Sequence, residues 1–159
     1  MPATSHIHIR QMEVGDFGFI RDLAARQANF TVPPPYVLWL LLRIKDTVCL
    51  VAEHNNDGPV AYVLAVPIEA PSKALYVWQL ATSEAGQRRR ATLNLLTHFI
   101  KIAKGMRIRK IAFSAIPGSP AFRMIRRYAV NVFSTTPEAI STIPSLISLN
   151  EREYHCELT

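Results

Sequence analysis

Three consecutive arginines stand near the middle of the chain, between a strand pattern and a helix pattern. They belong to the segment Gly86, Gln87, Arg88, Arg89, Arg90, Ala91 and Thr92. A loop that ends on a helix N-terminus presents unpaired backbone N–H groups and the positive end of the helix dipole, and it binds anions, most often phosphate. A solvated, basic helix start would show the same residues. The loop alone leaves both interpretations open.

The elements on either side of this loop would position it. The segment from Leu75 to Thr82 is rich in aromatic and β-branched residues, among them Tyr76 and Val77, and predicts a strand. Beyond the loop, apolar residues recur at the three- and four-residue spacings of one helical face. They are Leu93, Leu95, Leu96, Phe99, Ile100 and Ala103. The pattern is therefore strand, cationic loop, amphipathic helix.

Length and charge narrow the class of protein. With 159 residues, of which 49% are hydrophobic, the chain suits a single domain spanning 1–159 around one core. The formal charge is +6, and the basic residues are concentrated in 88–127. Such a surplus favours a polyanionic ligand, either a nucleic acid or a phosphate-bearing cofactor. Because no nucleic-acid motif with interleaved aromatics accompanies the charges, the cofactor is favoured over nucleic acid.

The cysteines and the apolar runs set further expectations. Cys49 and Cys156 lie far apart, with neither a metal-ligand spacing nor a disulfide framework, so no metal is predicted and Cys49 is interpreted as a packed thiol. No signal peptide pattern is present, and the longest apolar run, Val37 to Leu42, is too short to cross a bilayer. We expect a soluble, cytoplasmic chain that does not enter the membrane.

The remaining elements are predicted from periodicity, capping and turn residues. Asp16 is predicted to cap the first helix, and the second helix, apolar almost all round, is predicted to be buried. The predicted segments are a strand His6–Arg10, a helix through Phe19 to Ala24, an extended connector 29–35, a helix Tyr36–Ile44, strands Val48–Glu53 and Pro59–Val66 joined by an Asx-Gly turn at His54–Gly58, a strand Arg109–Ala115, a helix opened by Gly118-Ser119-Pro120, and a last strand Glu153–Leu158. The predicted order is β-α-α-β-β-β-α-β-α-β.

This order and the loop resemble the GNAT acetyltransferases, whose pyrophosphate loop is Arg/Gln-x-x-Gly-x-Gly/Ala. In that register Gln87 matches, Arg90 stands in place of the central glycine, and Thr92 replaces the last small residue. Arginines at these positions could instead add charge-assisted hydrogen bonds to the phosphates. The resemblance implies an α/β (α+β) fold, the GNAT fold, with a mixed sheet of about six to seven strands flanked by about four helices. It also implies acetyl-CoA as co-substrate, without a metal.

A closer resemblance, over nearly the whole chain, is to the L-2,4-diaminobutyrate acetyltransferases of ectoine synthesis. Tyr76–Ala81 is similar to that family's FVWQVAV strand, and Asp46–Glu53 to its DTCVVAE segment. Trp39–Leu42 resembles its YLLL helix, and Asn150–Glu153 its His-Glu-x-Glu tail. The family's Asp-x-Asn-Ser is replaced here by Val32–Pro35, so the counter-charge expected for a diamino acid is missing. The acceptor is therefore diaminobutyrate or another amine, unless catalysis has been lost.

The resemblance also carries roles onto individual residues. Glu153 is the candidate general base, and Glu151 shares its face by the period of two; without the resemblance both would be surface glutamates. The general acid is unassigned, because Ile125 or Arg126 occupies the family's tyrosine position and Tyr128 is off by two or three. The residues implied to contact the substrate are Trp78, Trp39, Tyr36 and Asn150. The residues implied to contact the cofactor are Leu80, Ala81 and Thr82 through their backbone, and Gln87, Arg88, Arg89, Arg90, Ala91, Thr92 and Ser119. Trp78 could equally be plain core packing.

Two functions remain as hypotheses. The first is an acetyl-CoA-dependent N-acetyltransferase acting on the amine of a small molecule, with a diamino acid as one candidate. The alternative is a catalytically weakened GNAT-fold binding module that recognises CoA, another anion or nucleic acid. The loop residues Gln87–Thr92 distinguish the two. Family members often dimerise, so a homodimer is allowed for.

Overall fold

The computed structural model describes residues 6–28, 30–70, 72–119, 122–123, 126–127, 138–142 and 151–158, with the side chains of 138–142 excepted. Its elements fall into two compact units. The first comprises Met1–Val66 and Gln79–Phe99, and the second comprises Pro67–Trp78 and Ile100–Thr159. The single domain spanning 1–159 stays a prediction.

The first unit contains the early strands and most of the described helices. Its elements are β1 (Ile7–Gln11), a 3-10 turn (Val14–Asp16), α1 (Phe17–Ala25), α2 (Pro35–Leu41), β2 (Val48–His54), most of β3 (Gly58–Ile68), the end of β4 (Ala74–Thr82), α3 (Glu84–Arg88) and most of α4 (Ala91–Gly105). The strands lie in the order β1-β2-β3-β4, and both β1–β2 and β2–β3 are antiparallel. The predicted turn joins β2 to β3 and ends at Gly58, whose φ of +69° suits glycine.

The core of the first unit is built from near-continuous apolar strands and one face of each long helix. β2 is buried from Val48 to Ala52 and β3 from Val60 to Ala65. The buried helical residues recur at helical spacing: Ile20, Leu23 and Ala24 on α1, Leu38 and Leu41 on α2, and Leu95, Leu96 and Phe99 on α4. The amphipathic patterns predicted for α1 and α4 are confirmed.

An ion network ties β1 to the start of α1 and to β2. Arg10 donates from Nη1 and Nη2 to the two carboxylate oxygens of Asp16, each at 2.8 Å, and from Nε to Oε2 of Glu53 at 2.7 Å. Asp16 also accepts the backbone N–H of Glu13 at 2.8 Å. Asp16 is the N-cap residue of α1 as predicted, but its side chain does not cap that helix because these donors engage it. Burial alone would raise the pKa of Asp16; the hydrogen bonds from Arg10 and Glu13 outweigh burial and hold it below its ordinary value of 3.8.

The second unit contains the start of β4 and the last strands. Its other elements are the end of α4, β5 (Lys110–Ala115), β6 (Glu138–Thr142) and β7 (Arg152–Glu157). The order is β4-β5-β7-β6, with β4–β5 parallel and both β5–β7 and β6–β7 antiparallel. One face of this sheet is apolar: Tyr154 stacks on Phe113 with ring centroids 5.4 Å apart, and Phe122 lies 4.8 Å from the Tyr154 ring.

Three predictions about the elements are wrong. Helix α2 is not buried all round, because Tyr36 is 66% exposed and Trp39 is 40% exposed, and it ends at Leu41 rather than Ile44. The first half of the predicted cationic loop is helical, since α3 covers Glu84–Arg88. Strand β6 is an additional strand that the predicted order lacked.

Candidate active site

The backbone of Arg90 adopts a conformation that normally favours glycine. Its φ is +57°, in the left-handed region, and helix α4 begins at the next residue, Ala91. The carbonyl of Arg90 accepts the N–H of Asn94 at 3.4 Å, as expected at a helix start. For a residue with a Cβ, this conformation costs about 1–2 kcal/mol. Position 90 is therefore left-handed although no glycine stands there.

The segment before this turn is held close to strand β3. The hydroxyl of Ser83 accepts the N–H of Gly86 at 3.1 Å and caps α3, while the N–H of Ser83 donates to the carbonyl of Val60 at 2.8 Å. A Cβ on Gly86 would lie 2.5 Å from the same Val60 oxygen. A side chain at position 86 would force the backbone to shift, so glycine permits this close approach of α3 to β3.

The side chains of the segment divide into an exposed and a buried set. Gln87, Arg88, Arg89 and Arg90 are exposed, whereas Ala91 and Thr92 are buried. The hydroxyl of Thr92 is engaged with that of Thr82 at 2.6 Å, so the end of β4 is tied to the first turn of α4. Of the three β4 residues predicted to contact the cofactor, Ala81 is buried and Leu80 and Thr82 are half-buried.

Of the three arginines, only Arg89 has a side-chain partner within the described residues. Its Nε lies 3.7 Å from Oδ2 of Asp57, and the same oxygen lies 3.0 Å from Nδ1 of the buried His54. Arg88, the last residue of α3, and Arg90, the residue before α4, form no ion pair with any described residue. The turn between β2 and β3 therefore restrains one arginine and leaves the other two available to an anion.

Gln79 anchors the connector that precedes α2. This buried amide donates from Nε2 to the carbonyl of Thr31 at 2.6 Å and accepts the hydroxyl of Tyr62 at 3.0 Å. Burial raises the pKa of Tyr62, so the phenol stays a donor. In the sequence this residue is a single amide inside an apolar strand, and that signal alone predicts no role for it.

The two aromatic residues predicted to contact substrate on α2 form a stacked pair. The rings of Tyr36 and Trp39 are 5.8 Å apart at 27°, and the guanidinium of Arg43 lies 4.6 Å from the centre of the Trp39 ring. The connector held by Gln79 leads directly into this helix. Their role in substrate binding stays a prediction.

In the second unit, polar side chains gather on one face of β4, β5 and β7. The hydroxyl of Tyr76 is hydrogen-bonded to the hydroxyl of Ser114, and Ser114 is the register partner of Glu153. Oε2 of Glu153 lies 3.1 Å from Nε2 of His155. Since alternate residues share a face of a strand, Trp78, two residues after Tyr76 and half-buried, belongs to the same face.

The cluster is mostly shielded from solvent. The side chain of Glu153 is 17% exposed, and His155 is buried. Burial raises the pKa of Tyr76, and the negative charges of Glu153 and Glu151 raise it further to a lesser degree. The hydrogen bond with Ser114 lowers this pKa but does not outweigh burial. Glu153 therefore lies at the edge of solvent with a neutral phenol nearby. Neither Tyr76, Ser114 nor His155 was predicted as a site residue.

Ser119, another predicted site residue, follows β5 in the chain. The hydroxyl of Ser119 accepts the N–H of Phe122 at 3.1 Å, which is a helix cap, and Gly118 before it has a φ of +73°. Tyr128 and Asn150 lie outside the described residues. Among the described residues, no group of three or more His, Cys, Asp or Glu side chains is arranged to hold a metal ion. No described helix is long and apolar enough to cross a membrane.

Comparison with known proteins identifies the family. Residues 12–129 match the model of the Acetyltransferase (GNAT) family, so the chain belongs to the GNAT acetyltransferases. Members of this family use acetyl-CoA, and the predicted α/β GNAT fold and acetyltransferase class are confirmed. No curated protein matches the chain significantly.

Solved structures with the same fold cover nearly the whole chain. Ard1 from Thermoplasma volcanium has a TM-score of 0.78 at 12% identity, with 96% of this chain and 98% of that chain covered. Diaminobutyrate acetyltransferase EctA from Paenibacillus lautus, in complex with L-2,4-diaminobutyric acid and coenzyme A, has a TM-score of 0.76 at 21% identity, with 96% and 95% covered. The ribosomal-protein-S18-alanine N-acetyltransferase from Escherichia coli has a TM-score of 0.71 at 11% identity, with 97% and 95% covered.

Proposed function

We propose that this protein transfers the acetyl group of acetyl-CoA to the amine of a small molecule. The observation that carries the proposal is the left-handed backbone of Arg90 directly before α4. An arginine adopts this strained conformation here at the position where the family motif has glycine. Retention of that geometry is expected if the N–H groups at the start of α4 still receive a phosphate.

In this proposal acetyl-CoA is bound by backbone and side-chain donors of the first unit. The first N–H groups of α4 have no acceptor within the helix and are free to donate to the pyrophosphate, and Arg88 and Arg90 add charge-assisted hydrogen bonds to phosphate oxygens. The backbone of Leu80, Ala81 and Thr82 at the end of β4 pairs with the pantetheine arm. Ser119 remains a further candidate contact.

Glu153 is the proposed general base. An ammonium is not a nucleophile, so its proton must pass to a carboxylate, directly or through water, before nitrogen attacks the thioester carbonyl. The C–N bond forms, the C–S bond breaks, and CoA leaves as a thiolate that takes up a proton. The half-buried carboxylate of Glu153 beside the hydroxyls of Ser114 and Tyr76 supports this role. Glu151 adds a second negative charge that favours a cationic acceptor.

The finer proposal for the acceptor is a diamino acid such as L-2,4-diaminobutyrate. The relative solved with that compound supports it, as does the resemblance of Tyr76–Ala81 to the FVWQVAV strand of that family. Trp78, Trp39, Tyr36 and Asn150 are the proposed substrate contacts. The prolines of Val32–Pro35, where that family has an aspartate, favour a different amine. Cytoplasmic location and a homodimer stay part of the prediction.

A two-stage experiment tests the function. Acetyl-CoA is first titrated while the melting temperature is followed, because a ligand at ~100 times its dissociation constant adds ~2.7 kcal/mol of stability. Release of free CoA thiol is then measured over a panel of diamines, amino acids and N-terminal peptides. No thermal shift at millimolar acetyl-CoA would contradict the proposal. A shift without thiol release from any amine would favour the binding module instead.

A further inference from the structure

His155 is a buried side chain that touches the proposed base and leaves one nitrogen unused. Its Nε2 lies 3.1 Å from Oε2 of Glu153, and the two residues share one face of β7 at a spacing of two. Nδ1 of His155 is fully buried and has no hydrogen-bond partner among the described residues. A buried polar atom without a partner is uncommon in folded proteins and calls for an explanation.

The unpartnered nitrogen indicates which tautomer the imidazole adopts. A proton on Nδ1 would leave a buried N–H donor without an acceptor. A proton on both nitrogens would leave the same unpaired donor and would also bury a positive charge. In the neutral tautomer with the proton on Nε2, the Nε2–H donates to Glu153 and Nδ1 carries only a lone pair. This tautomer satisfies the one contact that the geometry offers.

The contact distinguishes the two oxygens of Glu153. Oε2 is occupied by the imidazole, whereas the register of β5 and β7 places Glu153 beside Ser114, whose hydroxyl is bonded to that of Tyr76. A carboxylate with one oxygen fixed by a donor has its second oxygen oriented. That second oxygen, Oε1, has no hydrogen-bond partner among the described residues and can accept a proton.

We propose that His155 is the positioning residue of the general base: through Nε2–H it fixes Oε2 of Glu153 and so presents Oε1 to the acceptor amine. This inference rests on the proposed function, because it assumes that Glu153 accepts the proton. His155 itself does not exchange protons with substrate. Its effect should therefore depend entirely on the presence of the Glu153 carboxylate.

A double-mutant cycle tests this dependence. His155→Leu should lower kcat about tenfold or more in the parent background but less than about twofold when Glu153→Gln is already present, with KM for acetyl-CoA unchanged. His155→Gln, whose amide N–H can take the place of Nε2–H, should retain most of the parent kcat. The exposed His98→Leu is the control. Equal losses in both backgrounds would show that His155 merely packs the strand, and the proposal would be overturned.

A spectroscopic readout keeps the inference separate from turnover. Long-range ¹H–¹⁵N correlation of the imidazole in the parent protein should show the Nε2–H tautomer for His155, and Glu153→Ala should change the Nε2 shift while His98 stays constant. A proton on Nδ1 would overturn the proposal even in an active enzyme. If the parent protein transfers acetyl to no amine, the proposed function is contradicted. The measured tautomer would still show whether His155 donates a hydrogen bond to Glu153.

Discussion

Arg89 and Asp57 form an ion pair, Nε to Oδ2 at 3.7 Å, that connects the arginine segment to the turn between β2 and β3. Both side chains are more than a third exposed, so the pair contributes little to stability by itself. Its consequence is geometric: one of three consecutive arginines is drawn toward a carboxylate while its neighbours are not. The three residues should therefore differ in function although the sequence presents them as equivalent.

The first prediction concerns CoA affinity. Arg88→Ala or Arg90→Ala should weaken binding by about 1.5–3 kcal/mol where the side chain reaches a phosphate, the range for hydrogen bonds to charged groups. Arg89→Ala should cost less, because Asp57 already occupies that guanidinium. Isothermal titration with CoA at low and high salt measures both the loss and the screening of exposed contacts. Lys101→Ala, which removes one charge from α4, is the control. If all three arginine variants bind like the parent, the segment is simply a solvated basic surface.

The second prediction separates the backbone of Arg90 from its charge. Arg90→Gly and Arg90→Ala remove the same guanidinium, but only glycine takes a φ of +57° without strain. The glycine variant should therefore be more stable than the alanine variant by about 1 kcal/mol, within the cost of a left-handed residue. Urea unfolding of the two proteins gives the difference directly. Equal stabilities would mean that the turn rearranges when arginine is removed.

The third prediction follows from the lowered pKa of Asp16. A carboxyl whose pKa is lower folded than unfolded contributes stability that is complete above its ordinary value of 3.8 and is lost as the pH falls through the folded value. Asp16→Asn should thus cost about 1.5–3 kcal/mol at pH 7, when the contact with Arg10 is charge-assisted, and clearly less near pH 2. The exposed Asp22→Asn on the same helix is the matched control. A cost for Asp16→Asn that does not change with pH would contradict the role of the ion network.

Much of the fold is predictable from local patterns, and the errors have physical causes. Strand β4 was placed to within one residue because its aromatic and β-branched content is confined to that segment. β6, with the sequence Glu-Ala-Ile-Ser-Thr, has no such signal, and its pairing with β7 is a long-range contact. The aromatic residues of α2 suggested burial, but hydrophobic character alone does not determine which face of a helix is covered.

The candidate site was only partly predictable for a related reason. The arginine segment is local in sequence, so its position between β4 and α4 could be predicted, whereas the close approach of Gly86 on α3 to the Val60 carbonyl is a long-range contact that could not. Tyr76, Ser114 and His155 come together through the parallel pairing of β4 with β5 and the antiparallel pairing of β5 with β7. Strand pairing of this kind brings together residues that are far apart in the sequence, so no sequence spacing predicts their contact.

The last prediction is that Glu153→Gln abolishes most of the turnover without affecting the cofactor. Glutamine keeps the size and one acceptor oxygen of the side chain but cannot take a proton from an ammonium, so kcat should fall by about a hundredfold at neutral pH, the scale of a lost general base. The thermal shift with acetyl-CoA should equal that of the parent. Glu157→Gln is the matched control, because it lies on the same strand and face but is exposed beside Lys110. Turnover equal to that of the parent would leave water as the proton acceptor and return Glu153 to a structural role.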